Sequence, residues 1–561
     1  MTGGATHGTL NPSLEPTPLN GPAPPDAIGD IIAYHDRTKH RRDRYAAGPG
    51  GLDWATQPNP FRRFHGAPEL RLPLAESDHT PPAAVLFGVG TVISQPFNLH
   101  TLGLFFELSL GLSAKKQIAD SSWFLRINPS SGNLHPTEVY AVLPSRDWLP
   151  GGAGVYHYSP LDHALEQRAR RSPEDTPARN GFYVGLSSII WREAWKYGER
   201  AFRYCQHDIG HALATICCAA AVLGWRVKLS PEWDDRQLAT LLGLDRANDF
   251  VDAEQEIPGL LAEVVVSDSP PPPAPLRIEA KEWFGRANQL SRSQVPWPAI
   301  DKAVAASEQR GPLVVKTADR FPLWPAPNPA PCELSSGQLI RQRRSAVDFA
   351  AATIIAKETF LGILDATLPR PSAPPFDGWP LPPRLHLIVF VHRVNGLAPG
   401  MYLWLRNQTD EQTLRQAFRN IHHWEAPEGQ SPNLPLRRLG NGDLRSFART
   451  LSCQQDIAAD GAFSLGMLAH FEPVLREFGA SAWRQLFWEA GMIGQGLYLA
   501  AEAAGVRGTG IGCYFDDLLH DALGLTGHDW QSLYHFTVGT PVDDSRLSTA
   551  PPYAHLKAVN A

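Results

Sequence analysis

Two arginines and a serine stand side by side at Arg343, Arg344 and Ser345. Guanidinium groups form charge-assisted hydrogen bonds with phosphate, and a serine hydroxyl and the free backbone N–H groups of a helix start add further donors. The segment therefore indicates a phosphate-binding site. A solvated cationic turn would explain the same residues without a ligand.

A second polar segment reads Pro129-Ser130-Ser131-Gly132-Asn133. Its small residues would let a backbone approach a flat ring, and Ser130, Ser131 and Asn133 offer hydrogen bonds to ring heteroatoms. An ordinary turn that ends at Pro136 is the alternative. A ligand site is favoured because the chain also carries the arginine cluster and Gly508-Thr-Gly-Ile-Gly512, which we expect to be a glycine-rich loop after a buried helix.

His207 and His211 have the i, i+4 spacing of H-E-x-x-H zinc sites. The acid between them is Asp208, which is shorter than glutamate, and no third ligand is evident downstream. We therefore interpret the two histidines as core residues and predict no metal site, with a metal-dependent hydrolase as the alternative.

The 561 residues are 43% hydrophobic and 19% charged, and the net charge of -6 comes with scattered lysine and arginine. No basic stripe supports nucleic-acid binding. The six cysteines form no C-x-x-C pair and are predicted to be reduced thiols. Without a signal peptide or about 20 consecutive apolar residues, we expect a cytoplasmic protein with no membrane segment.

The elements that must position these residues occur twice. The run from Cys217 to Arg226, with its Ala-Ala and Gly-x-Arg pattern, returns from Tyr498 to Arg507, and each copy continues to an Asp-Asp pair and a Leu-Gly-Leu segment. A repeat of such long period indicates two copies of a domain. Long helices mixed with strands predict an α+β fold, in which a mixed sheet is covered by helices and the copies pack together.

The predicted organisation has four parts. Residues 1–28 are an expected disordered segment, and residues 29–266 form the first domain. Residues 267–334 are a proline-rich connector with a short helix around 297–307. Residues 335–561 form the second domain.

The chain resembles the SagB-type dehydrogenases of the flavin nitroreductase superfamily, in a tandem form with two fused nitroreductase-like domains. The resemblance rests on the segments above, on Lys196-Tyr-Gly-Glu-Arg200 and on Val538-Gly-Thr-Pro541 with Arg546. It implies a pseudodimer with FMN between the halves. The second half would supply Arg343, Arg344, Ser345 and Arg546 to the phosphate and ribityl chain and Gly510, Ile511 and Gly512 near the ring, while the first half would supply Pro129, Ser130, Ser131 and Asn133.

The residues at the reciprocal site, which the other pairing of the two halves would form, depart from the family pattern. Its phosphate side would use Arg37, Thr38 and Lys39, but the second copy has prolines in Pro371-Ser-Ala-Pro-Pro-Phe376, and the first has Trp225-Arg-Val-Lys-Leu229 in place of the glycine-rich segment. We therefore predict one FMN per chain.

The resemblance also implies a catalytic pair, Lys196 and Tyr197, at the position where azoline-oxidising members of that family carry a Lys-Tyr pair. Such a pair takes a proton from the carbon next to the one that loses a hydride. The alternative is a surface lysine at a helix entry. The expected activity is an FMN-dependent two-electron dehydrogenation of a C–N or C–C bond in a peptide or other biosynthetic intermediate. The alternatives are an NAD(P)H-dependent nitro or quinone reductase and a non-catalytic partner in a biosynthetic complex. The expected partners are a small-molecule or peptide substrate and further proteins of such a complex.

Overall fold

The structure is a computed structural model that describes residues 24–173, 181–266, 276–277, 279–315, 321–427 and 434–559, with side chains described as far as residue 556. Its helices are α1 Ala27–Arg37, α2 Leu99–Leu110, α3 Ile190–Tyr197, α4 Ala201–Val222, α5 Asp235–Leu242, α6 Pro298–Ala306, α7 Ser336–Gln342, α8 Lys357–Asp365, α9 Glu411–Ala417, α10 Arg445–Leu451, α11 Ile457–Asp460, α12 Glu472–Phe478, α13 Ala482–Ala503, α14 Asp516–Leu523 and α15 Ala554–Val559.

The strands are β1 Phe64–His65, β2 Glu69–Arg71, β3 Leu112–Ile118, β4 Ser121–Arg126, β5 Thr137–Leu143, β6 Gly154–Ser159, β7 Ala164–Arg170, β8 Gly181–Ser188, β9 Arg226–Leu229, β10 Ile257–Val265, β11 Glu282–Trp283, β12 Arg286–Ala287, β13 Ile355–Ala356, β14 Leu385–Val391, β15 Val394–Asn395, β16 Gly400–Trp404, β17 Leu436–Asn441, β18 Phe463–His470, β19 Arg507–Ile511, β20 Trp530–Gly539 and β21 Ser548–Ala550.

Two large sheets repeat one strand order. The first runs β7-β6-β5-β8-β10-β9, and the second runs β17-β16-β14-β18-β20-β19. Neighbouring strands in both are antiparallel. The predicted α+β class and the duplication are therefore confirmed.

Helices α4 and α13 form the centre of the molecule, where one half packs on the other. Each has 22 residues, is rich in alanine and other apolar residues and is buried over nearly its whole surface. A helix without a polar face must be covered on all sides, and here each helix has its own sheet on one side and the other helix on the other.

The segments between and beyond the two sheets also bind the halves together. Helix α1 begins at Ala27, inside the segment expected to be disordered, whereas residues 1–23 lie outside the described residues. In the connector, α6 is present as predicted, and β11 extends the first sheet. Strand β21, from the end of the second half, pairs with β3 of the first half.

None of the helices in the described residues is long and apolar enough to cross a membrane.

Candidate active site

Arg343 lies buried between the two halves at the end of α7. Its Nη2 donates to the carbonyl oxygen of Arg126 at 3.3 Å, and its guanidinium lies 5.0 Å from the centre of the Tyr498 ring. Its Nε and Nη1 atoms are buried without a hydrogen-bond partner. Burial lowers the pKa of Arg343. Unpaired donors on a buried cation are costly, so this side chain fits an anionic ligand.

Other cations surround Arg343. Burial and then the charge of Arg343 lower the pKa of Arg344 to about 10. Burial and then the charge of Arg344 lower the pKa of Lys116, and Arg507 acts on all three groups in the same direction. The Glu502 carboxyl acts in the opposite direction on Arg343 and Arg344, so the cations outnumber one nearby carboxyl, and an anion would further relieve their mutual repulsion.

Ser345 joins this cluster to the glycine-rich segment. Its hydroxyl lies 2.9 Å from that of Tyr498, which also accepts a hydrogen bond from the backbone N–H of Gly510 at 2.9 Å. Ala346 N–H donates to the carbonyl of Gly508 at 3.1 Å. These bonds hold the segment that contains Arg343, Arg344 and Ser345 alongside the segment from Gly508 to Gly512.

The prediction of a glycine-rich loop is wrong, because residues 508–511 lie in β19, an edge strand paired with β20, and Gly512 follows directly after it. Glycine is required there for close packing. A Cβ at Gly510 would overlap the hydroxyl of Tyr534, and one at Gly512 would overlap the ring of Tyr204. Between these two glycines, Ile511 is buried.

The loop from Pro129 to Asn133 lies in the first half, directly after β4. Gly132 and Asn133 both have positive φ, 62° and 60°. Asn133 donates to the carbonyl of Phe124 at 2.9 Å and contacts His135 Nε2 at 2.8 Å. Ser130 Oγ accepts from the N–H of His135 at 2.8 Å, so the side chains of Ser130 and Asn133 stabilise the loop itself.

Two buried carboxyl groups, Glu193 and Asp208, lie beneath this loop and were missed by the sequence analysis. Ser130 Oγ donates to Glu193 Oε1 at 3.3 Å, and Asp208 is hydrogen-bonded to Ser130 and to the Ser131 backbone. Burial, and next the Asp208 carboxyl, raise the pKa of Glu193, and burial raises the pKa of Asp208. The pair can therefore hold a proton near neutral pH. The signal available in the sequence was an acidic residue on each of two consecutive helices, the amphipathic α3 and the apolar α4.

Lys196 and Tyr197 end α3 and lie against the loop. A Cβ at Gly132 would be 2.7 Å from Tyr197 Oη and 3.1 Å from Lys196 Nζ. Both residues are partly exposed, and burial followed by the charge of Glu193 raises the pKa of Tyr197. The structure thus brings the predicted catalytic pair to the predicted loop, at a helix end rather than a helix entry.

Tyr204 and Arg200 connect this pair to β19. The rings of Tyr197 and Tyr204 are in edge contact with centroids 4.7 Å apart, and Tyr204 Oη donates to the carbonyl of Gly512 at 3.1 Å. Arg200 donates to the same carbonyl and forms an ion pair with Asp516 at 2.9 Å. The lysine, the loop and the glycine-rich strand therefore form one region between the halves.

Arg546 lies apart from these contacts. Its side chain is 76% exposed and pairs with Asp544 at 2.7 Å. Arg507, which pairs with Asp543 at 2.8 Å, is a further cation whose charge acts on Arg343 and Arg344.

At the reciprocal position, the cations already have protein partners. Arg37 forms a two-pronged ion pair with Glu199 at 2.7 Å, and Lys39 pairs with Asp517 at 2.9 Å. Thr38 Oγ1 donates to the carbonyl of Tyr34. The proline-rich segment lies against the first half, where a Cβ at Gly88 would be 2.8 Å from Ala373 Cβ.

His207 and His211 are core residues, as predicted. His207 Nε2 bonds the carbonyl of Leu533 at 3.0 Å, and His211 contacts Gln495 and Tyr534. Burial lowers the pKa of both. Within the described residues, no group of three or more His, Cys, Asp or Glu side chains could hold a metal ion.

Comparison with known proteins gives matches in sequence and matches in structure. Residues 340–540 match the model of the Nitroreductase family. A "putative nitroreductase" from Methanocaldococcus jannaschii is 28% identical over 131 residues, which cover 21% of this chain and 63% of that protein. The chain thus spans less than two thirds of the curated relative that it matches.

A crystal structure from Anabaena variabilis, with the same description, superposes with a TM-score of 0.67 at 21% identity, over 91% of this chain and 99% of that one. At this identity the match shows the fold. The chain is therefore similar in fold to a nitroreductase over nearly its whole length, and residues 340–540 carry the sequence pattern of the Nitroreductase family.

Proposed function

We propose that the chain is an FMN-dependent oxidoreductase with one composite site between its halves. The observation that carries this proposal is the buried guanidinium of Arg343, which has two donors without partners and lies beside the glycine-rich strand. The match of residues 340–540 to the Nitroreductase family supports the redox class.

In this proposal Arg343, Arg344 and Ser345 hold the phosphate, with Arg507 adding positive potential. Gly510, Ile511 and Gly512 would lie near the flavin ring, and the loop from Pro129 to Asn133 would reach it from the other half. When bound, FMN supplies a ring that accepts a hydride from the substrate carbon.

The proposed reaction is a two-electron dehydrogenation of a C–N or C–C bond in a peptide or other biosynthetic intermediate. Lys196 Nζ takes the proton from the neighbouring carbon, and Tyr197 Oη orients the substrate beside it. Both atoms pack against Gly132, where the missing side chain lets them lie close to the loop backbone.

A second candidate is an NAD(P)H-dependent reductase of nitro or quinone compounds, which the names of the similar proteins favour. Such a reaction takes its hydride from nicotinamide and needs no base to remove a proton from carbon. A third candidate, a non-catalytic partner in a biosynthetic complex, requires neither flavin nor Lys196.

The test uses the purified full chain incubated with FMN and freed of excess ligand. Flavin absorption bands that bleach anaerobically with an azoline-containing peptide support dehydrogenation. Bleaching with NADPH, followed by reoxidation with a quinone, supports the reductase. A chain that retains no flavin would contradict both and leave the role of a partner protein.

A further inference from the structure

We propose that Cys453 and Cys513 form a reversible disulfide, which makes them a redox modification site. Cys453 follows α10, and Cys513 follows β19. All six cysteines have free thiols, and these two are hydrogen-bonded to each other. The proposal does not depend on the flavin chemistry.

Two hydrogen bonds join the segments that carry the pair. Phe515 N–H donates to the carbonyl of Leu451 at 2.8 Å, and Gln455 Nε2 donates to the carbonyl of Cys513 at 3.0 Å. Cys453 has a left-handed φ of 53°. These bonds hold the turn that carries Cys453 against the end of β19, where Cys513 lies, and the hydrogen bond between the thiols makes the two sulfur atoms neighbours, as formation of an S–S bond requires.

The surroundings favour reaction at Cys513. Its hydrogen bond from Cys453 comes first in lowering its pKa, with His40 and Arg200 acting in the same direction. The same hydrogen bond raises the pKa of Cys453, which remains the protonated donor. A thiolate is the reactive form of cysteine, and both residues are partly exposed to solvent.

Other cysteines of the chain lack these features. Cys205, Cys217 and Cys218 are buried, and burial raises the pKa of each thiol. Cys332 is partly exposed like the pair, which makes it a suitable control.

The expected oxidant is a peroxide. The Cys513 thiolate attacks one peroxide oxygen, the O–O bond breaks, and Cys513 becomes a sulfenic acid while hydroxide leaves and takes up a proton. The Cys453 sulfur then attacks the sulfenic sulfur, the S–O bond breaks, and a second water leaves. Two thiols and hydrogen peroxide thus give one disulfide and two waters.

The test treats the full chain with hydrogen peroxide, alkylates the remaining thiols in denaturant and maps the peptides by mass spectrometry. We expect a linked peptide pair containing Cys453 and Cys513, the loss of two hydrogen masses from the intact chain, and recovery of both thiols with dithiothreitol. Alkylation of both cysteines after treatment, or a different linkage, would overturn the proposal.

Variants sharpen the result. With Cys453→Ser, Cys513 should stop at the sulfenic acid and become labelled by dimedone, whereas Cys332→Ser should still form the Cys453–Cys513 link. If the Cys453→Ser variant formed neither a disulfide nor a dimedone adduct, the result would contradict the proposal that Cys513 reacts with the peroxide first.

Discussion

Gly210 and Gly491 are each the tenth residue of a 22-residue helix, and each lies against the backbone of the other helix. A Cβ at Gly210 would overlap the carbonyl of Trp488, three residues before Gly491. A Cβ at Gly491 would overlap the carbonyl of His207, three residues before Gly210. The approximate two-fold axis of the duplicated chain therefore passes between these glycines, and the candidate site is built around helices that meet there.

Either glycine should resist replacement. We expect Gly491→Ala to destabilise the chain by about 1–3 kcal/mol, since the helices must separate to admit a methyl group. Gly51→Ala is the matched control, because nothing lies within 4 Å of a Cβ there. Urea unfolding checks both variants, and equal midpoints would show that the close crossing is unimportant.

The predicted anion site depends on Arg343. Replacement by glutamine removes a buried charge whose free donors are available to phosphate, so FMN affinity should fall about 10- to 100-fold. Arg37→Gln at the reciprocal position should change affinity by less than about twofold, because Arg37 is already paired with Glu199. Fluorescence titration measures both.

The family resemblance and the structure lead to different expectations for Arg546: the resemblance assigns it to the FMN phosphate, whereas the structure leaves it exposed. With its exposed side chain paired to Asp544, Arg546→Ala should leave FMN affinity within about twofold of wild type. A large loss would show that the C-terminal arginine moves onto the phosphate when FMN binds.

The role of Lys196 can be tested without knowing the natural substrate. If it removes a proton from carbon, Lys196→Met should slow dehydrogenation of an azoline-containing peptide by about 10²–10⁴-fold, with FMN affinity unchanged. Lys302→Met, which alters an exposed lysine paired with Asp30, should have wild-type rates. If dehydrogenation were equally fast in the two variants, Lys196 would not be the base that removes the proton.

A buried ion triad in the first sheet predicts a pH effect on stability. His157 lies between Glu138 and Glu166 at 3.0 and 2.8 Å. Burial opposes its charge, but the hydrogen bonds to both carboxylates raise its pKa to about 9. Because the folded pKa is the higher one, this stabilisation is complete below about pH 6.5 and is lost as pH rises through about 9.

The pH effect is checked by unfolding His157→Gln and wild type at pH 6 and pH 10. The variant should be less stable by about 2–3 kcal/mol at pH 6, and the difference should shrink at pH 10. A difference independent of pH would show that His157 is neutral in the folded chain.

Much of the fold could be predicted from the sequence because the repeated runs that begin at Cys217 and Tyr498 start in the last turns of α4 and α13, where burial demands small and apolar residues. The segment from Gly508 to Gly512 was mistaken for a loop, because glycines alone do not show that Tyr204 and Tyr534 occupy the space of the missing side chains.

The candidate site was predicted in part. The arginine cluster and the loop were predicted from their residue types and Lys196 from the family resemblance; the structure brings these segments together, and their roles stay predictions. Glu193 and Asp208 were missed because their proximity depends on how α3 and α4 pack beneath the loop. The exposure of Arg546 likewise depends on the path of the chain beyond β20, which no local pattern records.

The most direct test of the central claim is calorimetric titration of the flavin-free chain with FMN. One composite site predicts a stoichiometry of one FMN per chain, with binding weakened by Arg343→Gln and retained in Arg37→Gln. Two equivalents per chain would show that the reciprocal position also binds, and an absence of binding would contradict the account.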